Sequence, residues 1–229
     1  MAKVNVGIVG VGTYLPKKVM TAKEISEGTN GIWAEEAVRV KLGINQKYVP
    51  GDDDGTQEMG VRAAKACLEN TGVDPKEIDV ILCIGEEWKE YPLTTSAIYI
   101  QDQIGAVNAW GIDVQNRCCT CVAAMEIAKD MLIADDDINT IMVVGGYRNC
   151  DFVDYADKDM SMMFNLGAGA AVSLSRNDLD YLVTEYGCVN LKGTTIRERV
   201  ERIISIAHPK FREQLMEEAI KLGIIYPRG

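Results

Sequence analysis

Three thiols stand within four positions at Cys118-Cys119-Thr120-Cys121. They follow a short apolar run over residues 109–114 and open an alanine-rich stretch over 119–134. That order predicts a strand turning directly into a helix. A thiol at such a turn meets the positive end of the helix dipole and its unpaired amide groups, and both favour the thiolate. The same amides can stabilise an oxyanion on a bound thioester, so the pattern suits covalent acyl transfer. Two other readings stay open on these residues alone. The three sulfurs could bind a metal, although no second C-x-x-C pair or nearby histidine completes a ligand set. They could also be purely structural.

The surrounding pattern supplies the elements that must hold the turn. Residues 3–11 read as a buried strand, and its Gly7, Gly10 and Gly12 raise the possibility of a dinucleotide loop. Thr13-Tyr14-Leu15-Pro16 follows where that loop requires a helix start, which argues against it. Helices are predicted over 33–41, 57–70, 94–104 and 119–134, and strands over 78–84, 109–114, 138–145 and 167–175. Strands alternating with helices imply a largely parallel sheet covered on both faces. Helix 119–134 is apolar nearly all round (Val122, Ala123, Ala124, Ile127, Ala128, Met131, Leu132), so it is expected to be buried.

The 229 residues suffice for one large or two small domains. A formal charge of −10 argues against a general nucleic-acid binder. Charged residues interrupt every apolar run before membrane-spanning length. The start, MAKVNVGIVGVGTYLP, lacks the basic and apolar regions of a signal peptide and reads as a first strand. Seven cysteines without such a signal point to reduced thiols in a cytoplasm. Cys67 and Cys83 lie in apolar patterns and are expected in the core.

Beyond these physical readings, residues 1–176 resemble the N-terminal half of β-ketoacyl-acyl-carrier-protein synthase III, of the thiolase superfamily. Asp113-Val114-Gln115-Asn116-Arg117-Cys118 matches the family's Asp-Val-x-x-x-Cys nucleophile pattern. Pro92, Ala97, Gln101, Gly105, Asn108 and Ala109 fit the helix–loop–strand before it. Val143-Val144-Gly145-Gly146 and Phe164-Asn165-Leu166-Gly167-Ala168-Gly169-Ala170 resemble the glycine turn and loop after it. The resemblance implies an α/β, thiolase-like fold: one N-terminal half, a mostly parallel mixed sheet with a buried nucleophile helix. It implies that Cys118 takes an acyl group from acyl-CoA for carbon–carbon condensation in fatty-acid or related acyl-thioester metabolism. Gly167 and Gly169 belong to the implied oxyanion loop, and Cys119 and Cys121 become packing residues or redox partners. Implied partners are acyl-CoA, an acyl carrier protein, and a second copy or another thiolase-fold chain, as in a homodimer. No metal and no tightly bound cofactor is implied.

The chain departs from that family at two places. The CoA gate has Ala37 for its tryptophan, Lys41 for an arginine, Leu42 for a threonine and Lys47 at its end. Lys41 and Lys47 remain candidates to meet phosphates, with Trp33 one helical turn earlier as a substitute ring. Asn165 and Leu166 replace the loop's glycine and aspartate. The family's condensation step also uses a His and an Asn from its C-terminal half, and the single histidine here, His208, lies in a tail of another kind. Residues 177–229 read as a short strand and two amphipathic helices, and from about 180 they resemble the C-terminus of acetyl-CoA hydrolases and CoA-transferases. Glu185-Tyr186-Gly187 and Ile204-Ser205-Ile206-Ala207-His208-Pro209 carry that likeness, and His208 is expected to be a cap or packing residue. Condensation by this chain alone is therefore expected to be incomplete. The alternative is a non-catalytic remnant or subunit that pairs with another thiolase-fold chain.

Overall fold

The computed structural model describes residues 6–85, 89–176, 181–190, 196–221 and 224–225. In chain order the elements are β1 (Gly7–Tyr14), β2 (Val19–Thr21), α1 (Ala22–Gly28), α2 (Glu35–Val40), β3 (Gln46–Tyr48), α3 (Thr56–Thr71), β4 (Val80–Cys83) and α4 (Ser96–Ile104). Then follow β5 (Trp110–Asp113), α5 (Thr120–Ala134), β6 (Thr140–Tyr147), β7 (Gly169–Arg176), β8 (Tyr181–Thr184), β9 (Gly187–Asn190), α6 (Ile196–Ser205) and α7 (Arg212–Lys221). The predicted helices and strands stand within a few residues of these bounds. Sequence reading missed α1, whose Thr21 cap bonds the Glu24 amide while Glu24 returns the bond to Thr21.

Five strands form the central sheet in the order β1-β7-β6-β4-β5. β5 and β6 each run parallel to β4, whereas β7 runs antiparallel to both β6 and β1. The sheet is thus mixed and mostly parallel in strand direction, as expected, with β7 alone running against the other four strands. The reason lies between β6 and β7. That connection holds only two 3₁₀ turns, Asn149–Phe152 and Lys158–Met163, and without a crossover helix the chain returns antiparallel.

On one face, α3 and α4 cover the sheet through a core that includes Met59, Ala63, Cys67, Ile100, Met142 and Leu174. The glycines of β1 belong to this contact. A Cβ on Gly12 would lie 2.4 Å from the Ala63 carbonyl oxygen and 2.6 Å from the Cys67 amide. They let the helix backbone approach the strand and do not cradle a phosphate.

On the other face α5 lies over β4 and β6, burying Ala124, Ala128 and Leu132 against Val80, Leu82, Ile141 and Val143. The expectation of a buried helix holds for this face only. Val122 is 71% exposed, and Met125, Ile127 and Ile133 also face outward. A sheet can cover one side of a helix, and a helix apolar all round needs a second surface to cover the rest.

In the tail, β8 and β9 form a hairpin against which α6 packs, and α6 pairs with α7. Ile204 and Ala219 are buried, while Ile203, Phe211 and Leu215 are partly exposed. The boundary expected at 176/177 falls beside residues 177–180, outside the described residues.

Candidate active site

Because β4, β5 and β6 are parallel, their C-terminal ends share one edge of the sheet. Gly169 pairs with Tyr147 at the end of β6, which brings the start of β7 to the same edge. The topology thereby gathers the cysteine turn and the Gly167–Gly169 loop at one end, where ligands of α/β sheets ordinarily bind.

Cys118 sits in a 3₁₀ turn, Arg117–Cys119, between β5 and α5. Arg117 has φ 51°, in the left-handed region that non-glycine residues rarely occupy. Such a conformation costs about 1–3 kcal/mol and persists where the surroundings hold it. Thr120 does the holding: its hydroxyl accepts the Asn116 N–H at 2.7 Å and donates to the Arg117 carbonyl at 2.7 Å. Among the described residues no side chain caps the start of α5. Cys118 and Cys119 are exposed and Cys121 is half-buried.

The buried thiols are different. Burial pushes Cys67 up to about 11 and Cys83 up to about 12, which leaves them protonated at neutral pH. Exposure thus separates the turn from the core cysteines, as expected, but does not rank Cys118 above Cys119. Among the described residues no group of three or more Cys, His, Asp or Glu is arranged to hold a metal ion.

Asp113 has a role that spacing alone did not show. Its carboxylate accepts Lys89 Nζ at 2.6 Å, the Ser96 N–H at 3.0 Å and the Ala97 N–H at 2.9 Å. It caps α4 from another element, since Thr95 makes no side-chain cap bond. Beside Lys89, Glu90 does the same for α3, accepting the Gln57 N–H at 3.1 Å and the Glu58 N–H at 3.2 Å. Two adjacent residues thus tie the starts of α3 and α4 to the end of β5, five residues before Cys118. No periodic pattern announces caps that act over 17 or 33 positions.

The remaining candidates stand at different depths. Lys47 is buried, and its ammonium donates to the Tyr155 hydroxyl and the Leu166 carbonyl, each at 2.6 Å. Burial pushes its pKa down, and its two bonds tie β3 to Tyr155 and to the segment leading to Gly167. Lys41 is exposed at the end of α2. Trp33 is half-buried against the cluster around Ile25, Val38 and Phe164. Gly167 and Gly169 line a shallow cleft of about 460 Å³ with Tyr147, Asn149 and Leu166. The Ala168 N–H between them is already bonded to the Tyr48 carbonyl at 3.0 Å. His208 caps the turn Pro209–Phe211, its Nδ1 accepting the Lys210 N–H at 3.1 Å.

The comparisons with known proteins fit this geometry. The chain superposes on 3-oxoacyl-acyl-carrier-protein synthase III from Aquifex aeolicus VF5 with a TM-score of 0.68 at 20% identity, covering 96% of this chain and 92% of that one. It superposes on the priming β-ketosynthase of a polyketide biosynthetic pathway with a TM-score of 0.69 at 23% identity, covering 90% and 69%. The fold is thiolase-like.

In sequence, the thiolase-like part is 32% identical over 173 residues to β-ketoacyl-acyl-carrier-protein synthase III of Ehrlichia canis (strain Jake), covering 76% of this chain and 53% of that protein. The chain spans about half the length of the curated relatives it matches. The acetyl-CoA hydrolase/transferase C-terminal domain model matches residues 153–219. The likeness read from the sequence therefore holds for both parts, and the second match begins before residue 176, within the thiolase-like part. Among the described residues no helix is long and apolar enough to cross a membrane.

Proposed function

We propose that this thiolase-like half accepts an acyl group from acyl-CoA onto Cys118. The observation that carries the reading is an exposed thiol beside an uncapped helix start, held by Thr120 at the edge where the parallel strands end. The thiolate attacks the thioester carbonyl, the oxyanion takes hydrogen bonds from backbone amides of the turn, and CoA leaves as its thiol. No tightly bound cofactor enters that step. Gly167 and Gly169 shape the neighbouring loop, and Lys41 and Trp33 are the accessible candidates for the CoA moiety. Lys47 serves the site as a brace.

Carbon–carbon condensation, with an acyl carrier protein delivering the second thioester, needs a proton-handling group for that thioester. His208 is spent as a cap, so that half-reaction is assigned to a partner thiolase-fold chain or a second copy in the cytoplasm. The exposed face of α5 also favours the other reading, a subunit whose purpose is that pairing.

Labelled acetyl-CoA followed by peptide mass mapping tests the reading. The expected result is one acetyl group on Cys118, lost in Cys118→Ser and kept in Cys119→Ser. Label on Cys119 or Cys121 would overturn the assignment. No label unless a partner chain is present would favour the subunit reading.

A further inference from the structure

Acyl transfer uses one sulfur, and the turn holds three. Cys118 and Cys121 form a C-x-x-C pair at the head of the helix joining β5 to β6, two strands that both run parallel to β4. In a β-α-β setting that spacing reads as a dithiol redox pair. On a helix, side chains three apart stand about 5–6 Å apart at Cβ. A disulfide needs Cα atoms about 4.4–6.8 Å apart and a Cβ separation of about 3.5–4.5 Å, so a small closure of this turn suffices. At 3.6 residues per turn Cys119 is rotated about 100° from Cys118 and about 200° from Cys121, which takes it out of the pair.

Burial divides the two partners as thiol exchange requires. Cys118 is exposed, so it can be reached by a small oxidant; Cys121 is half-buried and packs on the cluster under α5. We infer that Cys118 and Cys121 are a reversible dithiol–disulfide pair, a covalent modification site that closes the turn to acyl groups. The oxidant is a low-molecular-weight disulfide. The Cys118 thiolate attacks one of its sulfurs, forming a mixed disulfide and releasing one thiolate. The Cys121 thiolate then attacks the Cys118 sulfur and releases the second. In sum two protein thiols become one disulfide, and the small disulfide is reduced to two thiols. The pairing stands apart from the acyl-transfer reading; only its consequence depends on it.

The test treats the full chain with glutathione disulfide, quenches in acid, alkylates the free thiols and digests with trypsin. All three sulfurs fall in the peptide Cys118–Lys129. The expected result is loss of two of the seven thiols, with that peptide lighter by two hydrogens and alkylated only on Cys119. Dithiothreitol reverses the change. Cys121→Ser stops at a mixed disulfide on Cys118, and Cys119→Ser oxidises like the unaltered chain. Fragmentation of the unaltered peptide locates the bond even where a variant fails to fold. A Cys118–Cys119 bond, a bond between chains, a lasting mixed disulfide in the unaltered chain, or no oxidation would each overturn the inference. Failed acylation with intact pairing would count against the acyl reading alone.

Discussion

The two faces of the central sheet are finished to different degrees. On the α3 side the helix buries nine residues from Thr56 to Leu68, and its first turn reaches the sheet so closely that a Cβ on Gly146 would sit 2.1 Å from the Thr56 carbonyl oxygen. On the α5 side the helix buries four residues and turns Val122, Ile127 and Ile133 outward. The difference teaches that the apolar pattern of α5 suits two surfaces, of which the described residues supply one. The thiols sit at the head of that half-covered helix.

The largest test of the contrast is a matched pair of truncations. Met59 is fully buried on the closed face, and Met59→Ala is expected to cost about 2–5 kcal/mol in denaturant unfolding. Val122→Ala, measured in dilute solution where α5 stays uncovered, is expected to change stability by no more than about 0.5 kcal/mol. Equal costs would break the comparison.

A smaller effect concerns association. The exposed α5 face should draw copies of the chain together, and burying Val122 and Ile127 is worth about 3 kcal/mol or more in sum. Val122→Glu combined with Ile127→Glu is therefore expected to weaken self-association by about a hundredfold, read by light scattering across a dilution series. A chain that is monomeric at every concentration would show the α5 face to be finished as it stands.

The smallest effect lies at the closed face's rim, where Asp54 bonds Tyr14 at 2.8 Å, Arg62 at 2.6 Å and the Gly51 N–H at 2.9 Å. Burial alone would raise its carboxyl, but the Gly51 amide, Tyr14 hydroxyl and Arg62 guanidinium outweigh it and hold it below its ordinary value. A carboxyl lowered in the folded state contributes stability above its unfolded pKa and loses it as pH falls through the folded one. The expected outcome is a decline in stability below about pH 4 that Asp54→Asn makes shallower. An unchanged slope in that variant would assign the acid sensitivity elsewhere.

Much of this was legible along the chain. Periodicity placed α3, α4 and α5 and the strands between them because each element's apolar spacing is a local property. The thiol cluster at a strand-to-helix turn was equally visible, and so was the cap at His208. The direction of β7 was not, because it depends on how the 148–168 segment packs and not on the strand's own residues. Neither was the reach of Asp113 and Glu90 to helices far away in sequence, nor the inward turn of Lys47. By itself the sequence determined which residues are apolar, where the chain turns, and that Cys118 heads a helix. Only the tertiary structure decided that β1's glycines serve helix packing, that Lys47 turns inward to Tyr155 and Leu166, and that the described residues leave one face of α5 uncovered. Those outcomes depend on which surfaces meet in space, and a pattern along one chain does not name its neighbours.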